Sequence, residues 1–146
     1  MENTAQSQIH KAKLGLVAAL CVFVFFAFFD IVSVIINGME YWVSIIDALV
    51  LLSIALCTFG VIRTKSVEVA YGYSVTMVCL IVVEFFVAIF LAVGSLLGPD
   101  MEEKTGYSQS FIIFSVLITF VCLAGACGLA SYSGKQLERA LLLVDQ

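Results

Sequence analysis

Residues 14–63 read LGLVAALCVFVFFAFFDIVSVIINGMEYWVSIIDALVLLSIALCTFGVIR. Two apolar runs meet at a polar turn around Asn37-Gly38, a dipeptide that favours chain reversal. Each run meets the requirement for a bilayer-crossing helix, about 20 mostly apolar residues. The first carries Phe23, Phe25, Phe26, Phe28 and Phe29. Rings at that density cover almost every face, and a helix apolar all round suits lipid rather than a water-facing surface. Tyr41 and Trp42 follow the turn, where an aromatic belt marks the membrane–water boundary.

The same design recurs downstream. The sequence predicts spans at 14–36, 41–62, 69–98 and 110–132. The 146 residues are 62% hydrophobic and 12% charged, against about half and about a quarter in soluble domains. Four spans and short connections use nearly the whole chain. The expectation is therefore one all-α domain over residues 1–146, an antiparallel four-helix transmembrane bundle. Residues 1–13 form a short polar lead, either mobile or the start of an interfacial helix. Residues 99–106 form an acidic outer loop, and 133–146 a short amphipathic tail. The first run is too long for a signal-peptide core and has no clear cleavage site, so it is expected to be retained.

Charge sets the orientation. Lys11, Lys13, Arg63, Lys65, Lys135 and Arg139 fall on one side of the four spans, and Lys104 on the other. The basic side is cytoplasmic under the positive-inside rule, which puts both termini in the cytoplasm. The formal net charge is -4 and the basic residues form no patch, so no nucleic-acid partner is expected. Cys21, Cys57, Cys79, Cys122 and Cys127 all lie in apolar runs; they read as small packing residues, not as a loop disulfide framework.

Three acids interrupt the spans: Asp30, Asp47 and Glu84. At about 1.5 Å per residue, Asp30 and Asp47 fall near one level, about 10 Å below the outer surface. Ser33 and Asn37 extend a stripe from Asp30, and Glu40 and Ser44 one from Asp47. Together the stripes suggest a polar wedge open to the outside. Glu84 falls near mid-membrane, where Ser115 and Thr119 of the fourth span are expected to hydrogen-bond its neutral carboxyl. Acids at such depth conduct ions or protons, bind helices together, or meet a basic residue in a partner's span.

Two further features stand out. Ala124, Gly125 and Gly128 lie in a small-residue run that also pairs Ala126 with Ala130, a pattern that lets helices approach closely within the bundle or with a partner. The tail places Glu138 before Leu142 and Leu143 in the acidic dileucine spacing. That reads either as a sorting address or as an amphipathic extension with Leu137, Leu141 and Val144 on the interface. No nucleophile–base pair, phosphate-binding glycine loop or metal-ligand spacing occurs, so neither an enzyme nor a cofactor or metal is expected.

The run Tyr41-Trp-Val, Asp47-Ala-Leu-Val-Leu-Leu and Phe59-Gly-Val-Ile-Arg63-Thr-Lys65 resembles the second span of the lysosome-associated transmembrane proteins and their invertebrate relatives. MARVEL-type vesicle proteins share the layout. The tail lacks the Pro-Tyr motifs of several lysosome-associated members, and the outer loop lacks the W-x-x-W-C-C pattern of claudins. The resemblance implies a non-enzymatic tetraspan for trafficking, membrane organisation or assisting other membrane proteins, in an endolysosomal, vesicle or plasma membrane. Its partners would be the lipid bilayer and other membrane proteins or a second copy. The alternatives are a small transporter or channel subunit using the acids, and a structural subunit of a large membrane complex.

Overall fold

The computed structural model describes residues 2–37, 42–97 and 108–144. These form four α-helices: α1 (Glu2–Asn37), α2 (Trp42–Arg63), α3 (Val67–Leu97) and α4 (Gln109–Val144). Each is long and apolar enough to cross a membrane. Large apolar side chains point outward along them; Phe28 is 65% exposed, Ile35 75% and Phe90 79%. A surface this apolar is stable only against lipid, and the chain is an integral multi-pass membrane protein. Residues 38–41 and the predicted outer loop at 99–106 lie outside the described residues.

Serines begin two helices. The Val69 amide donates to Ser66 Oγ (3.5 Å) at the start of α3, and the Phe111 amide to Ser108 Oγ (3.4 Å) at the start of α4. Both satisfy amides that a helix leaves unpaired in its first turn. Only residues 64–66 separate α2 from α3.

Helices α1 and α4 outrun the predicted spans. Residues 2–13 and 133–144 are helical, neither a mobile lead nor a separate tail. At ~1.5 Å per residue a 36-residue helix is about 54 Å long, well beyond the ~30 Å hydrocarbon layer. Packing explains the extension. Ala5 and Ala12 of α1 are buried, as are Leu137, Ala140 and Leu141 of α4. Leu137 and Leu141 thus face protein rather than the interface plane, while Val144 stays exposed.

Helix α4 is the hub, packed along both α1 and α3. Helix α2 packs on α1 and touches α3 only lightly. On α1 the buried positions are Ala5, Ala12, Leu16, Ala19, Phe23 and Ala27, a three-and-four spacing that makes one continuous seam. Helix α4 answers with small residues: Ala126, Cys127, Ala130, Ser133 and Gly134 are buried. Two glycines mark the closest approaches. A Cβ on Gly15 would collide with Ser133 Oγ and lie 3.2 Å from Ser133 Cβ. A Cβ on Gly134 would lie 3.2 Å from the Tyr73 ring and 3.5 Å from the Ala70 carbonyl oxygen.

The α3–α4 seam carries a reciprocal serine clasp. Ser74 Oγ donates to the Ser131 carbonyl (2.9 Å), and Ser131 Oγ donates to the Ser74 carbonyl (3.0 Å). Each hydroxyl has one proton, and each proton crosses the seam. Further along, the Phe85 and Phe120 rings pack with centroids 5.9 Å apart.

Candidate functional site

The three acids come from three helices and are all half-buried. Asp47 interacts electrostatically with Asp30 and also with Glu84, and Glu84 with Cys127. The sequence placed Glu84 apart from the other two; the fold brings both Asp30 and Glu84 within electrostatic range of Asp47. The expected partners of Glu84 are not its partners. Ser115 is exposed and Thr119 half-buried, and neither is hydrogen-bonded to it among the described residues. Nor do the acids form a metal centre: among the described residues no three His, Cys, Asp or Glu side chains could hold an ion.

Among the described residues no cation is paired with them. At ~1.5 Å per residue, Lys13 lies about 26 Å along α1 from Asp30 and Arg63 about 24 Å along α2 from Asp47; Lys65 precedes α3, 19 residues before Glu84. Three acids thus lie at membrane depth with no paired cation among the described residues.

Among the described residues, open cavities of about 840, 540, 450 and 240 Å³ lie on the bundle, and none of these has Asp30, Asp47 or Glu84 on its wall. The smallest, between α1 and α2, is lined wholly by apolar residues such as Ile31, Ile35 and Leu49. The largest is a groove between α2 and α3, where those helices separate. At its back Thr58 Oγ1 and Tyr73 Oη lie 2.7 Å apart. Thr58 Oγ1 also donates to the Ile54 carbonyl at 2.8 Å, which uses its single proton, so Tyr73 is the donor across the gap.

The small-residue run divides. Ala126 and Ala130 are buried in the core, whereas Ala124 is half-buried and Gly125 exposed. A Cβ on Gly125 or Gly128 would meet nothing within 4 Å, so neither glycine is where this bundle's helices approach. The close contact follows Ala126, Ala130 and Gly134 at four-residue intervals. The sequence contains that register, one step longer than the pair first noticed. Gly15 carried no such signal, because its partner Ser133 is remote in the chain.

In the tail, Leu142 and Leu143 are exposed and Glu138 half-buried, all on the last turns of α4. The cysteines are free, with Cys127 buried and Cys21, Cys57, Cys79 and Cys122 exposed. The groove and the Thr58–Tyr73 bond were missed from sequence because single hydroxyls in apolar runs carry no periodic pattern. No family model, curated protein or solved structure matches this chain.

Proposed function

We propose that this chain is an antiparallel four-helix transmembrane bundle with both ends cytoplasmic, acting without catalysis as an accessory or membrane-organising tetraspan. In this reading the intramembrane acids receive a basic residue from a partner's span. The observation that carries it is that Asp30 and Glu84 each lie within electrostatic range of Asp47 with no paired cation among the described residues. An isolated carboxylate at such depth is costly, and acids there normally pair or line water. The cavities formed by the described residues alone do not have them on their walls, which favours pairing over conduction. The orientation draws support from the basic residues at 11–13, 63–65 and 135–139. The exposure of Leu142 and Leu143 leaves them accessible as a sorting address for an endolysosomal, vesicle or plasma membrane.

The test compares the native chain with the triple variant Asp30→Asn, Asp47→Asn, Glu84→Gln, each purified in mild detergent. A membrane protein retained in stoichiometric amount by the native chain and released by the triple variant, with the bundle itself still folded, is the expected result. Proton or cation flux through liposomes containing the purified chain alone, abolished by the same substitutions, would overturn the reading in favour of a small transporter.

A further inference from the structure

The groove between α2 and α3 is distinct from the acids. It runs from Val50 to Arg63 on α2 and from Val69 to Leu80 on α3. At ~1.5 Å per residue its α2 wall is about 20 Å long, comparable with one leaflet's share of a ~30 Å hydrocarbon layer. Its volume is about 840 Å³ and it opens sideways along the bundle. Gly60 and Gly72 face each other's helices across it, and a Cβ on either would meet nothing within 4 Å.

The lining selects an apolar occupant. Ile54, Val61, Met77 and Leu80 supply its surface. The wall hydroxyls turn back on their own helices: Ser53 Oγ donates to the Leu49 carbonyl (2.8 Å) and Thr76 Oγ1 to the Gly72 carbonyl (2.9 Å). Tyr73 spends its proton on Thr58. None of these donors is left to hold a polar solute.

One end is different. Arg63 lines the groove there and is exposed. Its guanidinium carbon sits 4.4 Å from the centroid of the Phe59 ring, a stacking that leaves its N–H edges free for a planar or tetrahedral anion. Lys65, two residues on, is also exposed. An apolar trough one leaflet long that ends in a cation matches a chain with an anionic head. Basic pockets between membrane helices bind such headgroups on the cytoplasmic side.

We propose that the α2–α3 groove binds an anionic glycerophospholipid, one acyl chain lying between Ile54 and Leu80 and the net negative head held by Arg63. Assignment of that lipid to the cytoplasmic leaflet rests on the orientation proposed above; binding itself does not, and is measured in micelles where no leaflet exists.

The experiment delipidates the purified chain in detergent and titrates it with phosphatidylserine or phosphatidylcholine of identical acyl chains, reading retained lipid by native mass spectrometry. Phosphatidylserine should be retained about ten-fold more strongly, a preference expected of one or two basic residues near a headgroup. Arg63→Gln should reduce that preference to near parity while keeping weak retention of both. Gly72→Leu, which fills the trough, should remove retention of both while the helical circular dichroism is unchanged. Equal retention of the two lipids by the native chain overturns the proposal without needing any variant. So does disulfide formation between two copies through Cys57 in a background without the other cysteines, which would put a second chain in the groove.

Discussion

Tyr73 donates its phenolic proton to Thr58 across the one pair of adjacent helices that otherwise barely touch. The bond is asymmetric, and so should be the consequence of breaking it. Tyr73→Phe leaves Thr58 bonded to Ile54 and should cost about 0.6–1 kcal/mol, the usual worth of a hydrogen bond between membrane helices. Thr58→Val leaves a buried phenol without its acceptor and should cost about 1–3 kcal/mol. Unfolding by graded denaturing detergent would measure both. An equal or reversed order would contradict the assigned direction of donation.

The glycines should separate into two classes. Gly134→Val forces a branched side chain against Tyr73 and Ala70 and should destabilise by about 1–3 kcal/mol, as overpacking does. Gly15→Ala should weaken the bundle less, and Ser133→Ala should restore part of the loss, because the Ser133 hydroxyl is the first atom met. Gly125→Ala, with open space around it, should be neutral or slightly stabilising, since Ala favours helix. Melting temperatures in one detergent would rank them.

Glu84 offers a test of packing against pairing. It makes no hydrogen bond to Ser115 or Thr119 among the described residues. Glu84→Gln and Glu84→Leu should therefore both leave the thermal stability of the isolated bundle within about 1 kcal/mol, the scale of one interhelical bond. Marked loss with Leu but not with Gln would reveal a structural hydrogen bond after all.

Orientation is open to labelling. In a background without native cysteines, Lys135→Cys should react with an impermeant maleimide only from the cytosol, and Thr105→Cys only from the opposite side. Ser133, at the predicted edge of the last span, is a poor site because it is buried against α1. Labelling of both introduced thiols from one side would break the four-crossing arrangement.

The tail can be tested in cells. Leu142→Ala with Leu143→Ala alters two exposed residues and should leave folding intact. If they form a sorting address, the steady-state population should shift toward the plasma membrane, scored by surface biotinylation. An unchanged distribution would return these leucines to the role of a simple helix end.

The sequence announces its helices because hydropathy is a local property. Four apolar runs are visible residue by residue, and three of the four starts fall within two residues of the helices observed. The far ends of α1 and α4 were not legible: Ala5, Ala12, Leu137 and Ala140 look like an ordinary mixed polar segment until each is seen covered by another helix. The acids were legible as residues but not as a group, since a helix number gives depth and not rotation. The serine clasp was hidden for the same reason, as Ser74 and Ser131 have no pattern in common along the chain.

The seam between Gly15 and Ser133 joins the first helix to the last. Roughly 120 residues must be made between the two, and at about 5–20 residues per second α1 waits roughly 6 to 24 s for α4. During that interval the α1 surface around Gly15 lies in the membrane without its α4 contact. Biogenesis therefore has a vulnerable period whose length is set by the chain itself. Chains stopped after Arg63 or Leu97 would remain in it permanently, presenting to quality control the α1 surface that α4 covers in the complete bundle.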